Sequence, residues 1–245
     1  MSGGRAATDP GSPSVELDSS AREALHRVLE LLREEHASVS SVTEPERAWK
    51  VHVADSLSGL VVAELRTAKV IADVGSGAGF PGLVLAAALA DARVDLIESV
   101  ARKCEFIHRA AVASGISNAR AIGERSETWA ERPPPRGGCE AYEAVTARAV
   151  GRLSILAELA SPLLRDGGVL IAWKGRRSGE EEAELAAAAG RLAMEPEQVL
   201  AVGPYAGSRH RHLHVMRKRG PTPEGLPRRP GIAKKRPFGS RRGAG

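Results

Sequence analysis

Apolar residues recur at two different spacings along the chain. Near the N-terminus, Leu25, Val28, Leu29 and Leu32 fall at the three- and four-residue intervals of one helix face, and Ser20 followed by Glu23 reads as a capping box. The pattern predicts an amphipathic helix over residues 20 to 36. Thr43 and Glu46 repeat the box, Pro45 suits a first helical turn, and the sequence stays helical in character through Leu65. From Val70 the spacing changes to short apolar runs alternating with helical stretches, which is how a parallel sheet covered on both faces is written. Strands are predicted at 69–74, 93–98, 119–123, 141–147, 168–173, 198–202 and 211–217, and helices at 80–90, 100–114, 151–164 and 179–193. Little beyond Gly203-Pro-Tyr-Ala-Gly207 separates the last two strands, too little for a helical crossover, so the final strand is expected to run antiparallel to its neighbour. The fold class is α/β, a Rossmann-like, seven-stranded, mostly parallel sheet preceded by helices.

The first strand runs into Gly75-Ser-Gly77-Ala-Gly79-Phe80-Pro81-Gly82 and then into a helix. Four glycines in eight residues let the backbone turn tightly and let a ligand approach it, while the helix N-terminus offers unpaired N–H groups. Glu98 ends the next strand, where a carboxylate can accept both hydroxyls of a ribose. The ligand is therefore nucleotide-like, and NAD and S-adenosylmethionine both satisfy the glycine pattern. Asp73 two residues before Gly75, the antiparallel last strand and the lack of a second substrate domain favour S-adenosylmethionine.

Length and composition narrow the picture further. The chain has 245 residues, 42% hydrophobic and 27% charged, as expected for one folded domain with tails. The expected division is a tail over 1–18, a single domain over 19–218 with a helical entry region (19–66) and an α/β core (67–218), and a basic tail rich in Pro and Gly over 219–245. The longest apolar or small stretch, Phe80 to Ala90, is 11 residues, well short of the ~20 that cross a bilayer. Met1 to Ser20 lacks the features of a secretory signal, and a cytoplasmic monomer without membrane contact is expected. Cys104 and Cys139 lack metal-site spacing and are expected to be reduced thiols.

Charge is distributed unevenly. Residues 209 to 245 hold twelve Lys and Arg against one acid, Glu224, whereas the whole chain holds 35 bases and 30 acids, so the body is mildly acidic. A basic end on such a body suggests a polyanion held at the edge of a site, with nucleic acid the leading candidate. Truncation after Arg217 is then expected to weaken nucleic-acid binding and to leave cofactor affinity intact. Two common methyl-acceptor chemistries lack their residues here. The fourth strand ends in Val145-Thr-Ala-Arg148-Ala-Val with no Pro-Pro-aromatic turn, and neither cysteine stands where a pyrimidine-directed nucleophile would. A ring nitrogen with an in-plane lone pair needs no base, and alignment alone can contribute about 7 to 11 kcal/mol.

Several segments together resemble the bacterial small-subunit ribosomal RNA methyltransferase G family, also called the glucose-inhibited division protein B family. They are Asp73-Val-Gly-Ser-Gly-Ala-Gly-Phe-Pro-Gly82, Leu96-Ile-Glu-Ser-Val-Ala-Arg-Lys103, Arg125-Ser-Glu127, Thr146-Ala-Arg-Ala-Val150, Ala172-Trp-Lys-Gly175 and the ending Arg228-Arg-Pro-Gly-Ile-Ala-Lys-Lys-Arg-Pro237, with a weaker echo in His52-Val-Ala-Asp55-Ser56. The resemblance implies a class I methyltransferase fold that uses S-adenosylmethionine to methylate N7 of a guanine in 16S rRNA of the small ribosomal subunit. Carried over by position, Gly75, Phe80, Ser126, Glu127 and Arg148 match cofactor contacts, joined by Asp73, Gly77 and Glu98; Arg148 is also the candidate catalytic residue, acting by positioning. Arg102, Lys103, Lys174, Arg228, Arg229, Lys234, Lys235 and Arg236 are candidate RNA contacts. An NAD(P)-dependent oxidoreductase and a non-catalytic RNA-binding protein are the alternatives. Ser41-Val-Thr43 departs from the family's usual Asn-Leu-Thr stretch, which leaves the entry region's role open. His210, His212 and His214 alternate as on one strand face but have no carboxylate close by, so no metal is expected. His52 and Asp55 are expected to tie two helical turns together.

Overall fold

The computed structural model describes residues 17–35, 42 and 44–239. The seven strands are β1 (Val70–Val74), β2 (Arg93–Ile97), β3 (Ala119–Ile122), β4 (Tyr142–Arg148), β5 (Leu164–Lys174), β6 (Met194–Ala201) and β7 (His212–Lys218). They form one sheet in the order β3-β2-β1-β4-β5-β7-β6. β1 to β5 pair in parallel, and β7 runs antiparallel to both β5 and β6. The strand order reverses between β1 and β4, the place where open α/β sheets leave a crevice beyond their carboxyl ends.

Side chains alternate between two cores. Ile71, Val169, Ile171, Leu213 and Val215 pack on one face of the sheet, and Ala72, Leu170, Ala172 and Met216 on the other. Burial on both faces explains why these strands read as continuous apolar runs. The first face is covered by α1 (Ser19–Glu34), a helical run made of α2 (Pro45–Ala48), a π-helical turn (Trp49–Ala54), α3 (Asp55–Leu57) and a 3-10 turn (Ser58–Val61), then α4 (Ala63–Thr67), α5 (Gly82–Ala88) and α6 (Ala101–Ala113). The second is covered by α7 (Ser126–Ala130), α8 (Leu153–Ala160), α9 (Gly179–Ala188), a 3-10 turn (Ala189–Leu192) and α10 (Ile232–Lys235). Leu25, Val28 and Leu32 of α1 are buried as their spacing predicts, worth about 1.5 to 3 kcal/mol each.

Four local expectations differ from the structure. Asp18, not Ser20, caps α1: its Oδ1 accepts from the Ala21 amide at 2.7 Å and from the Ser20 hydroxyl at 2.9 Å, and its extended backbone starts the helix at Ser19, which puts Ser20 inside the first turn where it cannot act as the cap. Glu44 caps α2 through the amides of Glu46 and Arg47; Thr43 lies outside the described residues, as do Ser41, residues 1–16 of the expected N-terminal tail and residues 240–245 of the basic C-terminal one. β5 begins at Leu164, four residues before the predicted start, with a register shift opposite Tyr142 and Ala144 where Gly167 turns through positive φ. β6 begins at Met194, because an edge strand tolerates Pro196 and the acids around it.

Residues 219–239 pack against the body. Lys218 is fully buried, its ammonium donating to the Ser161 carbonyl at 2.5 Å and the Thr222 hydroxyl at 3.0 Å. Phe238 lies between the guanidinium groups of Arg228 and Arg191, at 3.9 and 4.3 Å from its ring centre. Among the described residues no helix is long and apolar enough to cross a membrane.

Candidate active site

The glycine turn is locked from behind by Asp73. Its Oδ2 accepts from the Gly82 amide at 3.0 Å, its Oδ1 accepts from the Thr146 hydroxyl at 3.0 Å, and its carbonyl accepts from the Ser76 hydroxyl at 2.8 Å. Asp73 is thus joined to the first turn of α5 and to β4. Burial pushes its carboxyl up to about 6 despite these hydrogen bonds. Two glycines are required by space, and Gly75 by turn geometry as well. A Cβ on Gly75, whose φ is +67°, would lie 2.7 Å from Val150, and one on Gly82 would lie 2.5 Å from Leu96.

Glu98 closes the turn from β2. Its two carboxylate oxygens accept from the Gly77 amide at 3.0 Å and the Val100 amide at 2.8 Å, which fixes its position at the cavity wall. A carboxylate has about four lone-pair sites, so two remain for a pair of hydroxyls. Ser126 and Glu127 begin α7 immediately beyond β3, and the Ser126 hydroxyl donates to Glu127 at 3.3 Å.

One cavity opens at the carboxyl ends of β1 and β4, and a second at those of β4 and β5. The first, about 340 Å³, is lined by Gly75, Glu98, Ser126, Glu127, Lys103 and Lys234, among others. Its size lies within the range of small-molecule sites. The second, about 440 Å³, is lined by His52, Asp55, Arg148, Trp173, Lys174 and Arg211, among others. Ala149, in the left-handed region at φ +60°, lines both. The cavities therefore adjoin at the end of β4.

Arg148 belongs to the second cavity. Its Nη1 donates to the Val51 carbonyl and to Asp55 Oδ2, both at 3.0 Å, and its guanidinium lies 5.9 Å from the centre of the Phe80 ring. Phe80 is buried and stacks on His52 at 4.5 Å. Burial, aided by the nearby Arg148 charge, pushes His52 down to about 4, so the imidazole is neutral at pH 7. Asp55 accepts from the Trp173 indole through its carbonyl at 2.8 Å, and its Oδ1 is 3.5 Å from Arg211 Nε. The π-helical turn places these groups, as π turns often do at functional sites.

The structure thus brings Gly75, Glu98, Ser126 and Glu127 together around one cavity. It sets Gly77 behind Glu98, Asp73 and Phe80 beneath the turn, and Arg148 next door. The candidate RNA contacts divide. Arg102, Arg229, Lys235 and Arg236 are exposed, and Lys103 and Lys234 border the first cavity. Lys174 instead donates to Glu181 at 2.6 Å and to the Gly151 carbonyl at 2.9 Å. Arg228 makes a two-point bond to the buried Glu158 carboxylate. These two cations hold the fold together, and a phosphate would have to displace a closer carboxylate to reach them. His210 departs from the expected alternation, since it precedes β7 with φ +53°, and only His212 and His214 lie on the strand. Among the described residues no three His, Cys, Asp or Glu side chains gather as metal ligands would. His52 and Asp55 do more than join two turns, because they line the second cavity. The signal that marked them was the weaker family echo in His52-Val-Ala-Asp55-Ser56. Trp173 and Gly231 lay inside segments that carry the family resemblance but were not singled out as site residues, and Arg211 lay outside those segments.

The family model described as GidB, rRNA small subunit methyltransferase G, matches residues 22–213. The chain belongs to this family. Its members include the ribosomal RNA small subunit methyltransferase G of Symbiobacterium thermophilum, 35% identical over 93% of this chain and 94% of that one, and that of Rubrobacter xylanophilus, 36% identical over 97% and 98%. Among solved structures, a predicted O-methyltransferase from Agrobacterium tumefaciens superposes with a TM-score of 0.50 at 26% identity, over 68% of this chain and 79% of that one. A Burkholderia thailandensis 1,6-didemethyltoxoflavin-N1-methyltransferase, solved with its substrate and S-adenosylhomocysteine, has a TM-score of 0.50 at 16% identity, over 80% and 90%. The chain is a class I methyltransferase that uses S-adenosylmethionine, and the oxidoreductase alternative falls away. The residues present fit that cofactor: a cavity of suitable size, a turn that no Cβ would allow at Gly75, and a fixed carboxylate with acceptor capacity left for a ribose.

Proposed function

We propose that this chain methylates N7 of a guanine in 16S rRNA of the small ribosomal subunit, as a monomer in the cytoplasm. The relatives' name, ribosomal RNA small subunit methyltransferase G, supports the substrate class. One structural observation carries the reading: a second cavity, lined by Arg148, Lys174, Arg211 and Trp173, adjoins the cofactor cavity at Ala149. That is where an acceptor base must sit to meet a methyl group on its neighbour.

When bound, S-adenosylmethionine supplies an electrophilic methyl group on a sulfonium. The chain's own work is positional. Glu98 and the glycine turn fix the donor side, Ala149 stands where the two cavities meet, and Arg148, tied to Asp55 and to the Val51 carbonyl, walls the acceptor side. His52 is neutral at pH 7, and N7 of guanine carries a lone pair and no proton, so transfer needs no proton removed at that atom. Alignment supplies the rate. Exposed Arg102, Arg229, Lys235 and Arg236, with Lys103 and Lys234 at the cavity rim, hold RNA phosphates in this reading.

Transfer of tritiated methyl groups to small ribosomal subunits and to their naked RNA, followed by digestion to nucleosides, tests the proposal. Label is expected in 7-methylguanosine. Label in another nucleoside would overturn the N7 assignment, and no label in either substrate would overturn the RNA assignment.

A further inference from the structure

The last described stretch of the chain reaches the cofactor cavity from outside the sheet. Gly231, Ala233 and Lys234 share a wall with Gly75, Glu98 and Glu127. The stretch is fastened at several points. Arg228 Nε and Nη2 both donate to the carboxylate of Glu158, which is 3% exposed, and Arg228 Nη2 also donates to the Arg236 carbonyl at 2.9 Å. The Gly231 amide donates to Glu127 Oε1 at 2.9 Å. Ala233 is buried in the apolar cluster beneath α8, and Phe238 packs against the same cluster.

We propose that residues 228–238 are the outer wall of the cofactor site, with Gly231 and Lys234 as contact positions for the nucleoside end of a sulfonium or thioether nucleoside. The inference rests on the cofactor occupying this cavity. Three features support it. Gly231 holds one oxygen of Glu127 and Ser126 holds the other, so the orientation of the carboxylate that borders the cavity depends on the strap being docked. Gly231 stands in the left-handed region at φ +81°, the geometry that turns the chain into α10 and points its amide at Glu127. The Arg228–Glu158 pair is charge-assisted and two-pointed, and losing its arginine would leave a carboxylate buried without its cation, so the strap is held in one place. Strap docking and cofactor binding are then one coupled equilibrium, because a ligand that touches the docked strap stabilises it by its extra affinity for that state. The sequence-level expectation that cofactor affinity survives loss of the tail is replaced by its opposite.

Titration calorimetry with S-adenosylhomocysteine compares the full chain with one ending at Gly225, whose folding is checked by circular dichroism. At least tenfold weaker binding by the folded, shortened chain is expected. Equal affinity overturns the inference while leaving the cofactor site standing, whereas a full chain that binds no S-adenosylhomocysteine overturns both. Hydrogen exchange on the unmodified full chain gives a second reading that needs no truncation. Amides of residues 231–236 are expected to exchange at least tenfold more slowly with S-adenosylhomocysteine present, and unchanged exchange there overturns the inference even if the shortened chain does not fold.

Discussion

Burial pushes the Asp73 carboxyl up to about 6, while burial and the Arg148 charge push the His52 imidazole down to about 4. The two shifts have opposite consequences for stability. Asp73 takes up its proton more readily folded than unfolded, where its value is 3.8, so its contribution is fully present below pH 3.8 and is lost as pH rises through about 6. His52 takes up its proton more readily unfolded, at 6.5, so its contribution is present above that value and is lost as pH falls through about 4. Between pH 4 and 6 the two nearly cancel. Single substitutions expose each half. Relative to the unaltered chain, His52→Phe should gain stability as pH falls from 6.5 to 4, and Asp73→Asn should lose it as pH falls from 6 to 4. Each slope is at most about 1.4 kcal/mol per pH unit, the value for one proton. Urea unfolding across that range measures both, and two curves that merely run parallel to the unaltered chain would show that neither group is shifted. At this scale the sequence was legible where backbone demanded a residue type, as at Gly75. It was silent on which polar groups would be buried, because a shift depends on neighbours distant in sequence: Asp73 meets Thr146, and His52 meets Phe80 and Arg148.

At the scale of elements, the helical run before β1 matters because it is clamped to the sheet's active edge. Trp173 at the end of β5 reaches across to donate to the Asp55 carbonyl at 2.8 Å and lies 3.3 Å from the Ser58 hydroxyl. Gly59 makes room for it: a Cβ there would lie 2.2 Å from the indole ring. Gly59→Ala should therefore displace the indole, cost about 1 to 3 kcal/mol by overpacking, and raise the KM for RNA. Denaturant unfolding and initial rates at varied RNA test this; a variant as stable as the parent would mean that the ring is not clamped there. Helix and strand periodicity revealed the seven strands and the long helices, since β1, β2, β4 and α1 are each buried on the face or faces their spacing implies. Periodicity missed α7 and α10, which at five and four residues complete too little of a helical period to register. Both end up at the cavity lined by Gly75 and Glu98, one through Ser126 and Glu127 and the other through Ala233 and Lys234. The parts of the site supplied by short, non-periodic segments were thus legible only through the family resemblance and not through spacing.

At the scale of the whole molecule, the basic run at the end of the chain divides into two populations. Arg217 bonds to Glu197 and Glu64, Lys218 is buried on backbone carbonyls, Arg219 pairs with Glu195 and Glu197, and Arg228 pairs with Glu158. These charges are neutralised or committed within the fold, so the formal count of twelve overstates what a polyanion meets. Arg229, Lys235 and Arg236 are exposed on the stretch that borders the first cavity, and on the proposed function they meet RNA phosphates. Each phosphate contact to a single strand contributes a slope of about −0.7 to the dependence of log affinity on log salt. Replacing all three with alanine should therefore flatten the slope by about 2 and weaken binding at low salt more than at high salt. The comparison variant is Arg217→Ala, whose guanidinium is engaged by two carboxylates; it should leave the slope unchanged while lowering the unfolding midpoint. RNA binding followed by fluorescence anisotropy over a salt series distinguishes them. A triple variant with the parent's slope would place the RNA elsewhere on the molecule, and a flattened slope in Arg217→Ala would mean that pairing within the fold does not withdraw an arginine from the polyanion.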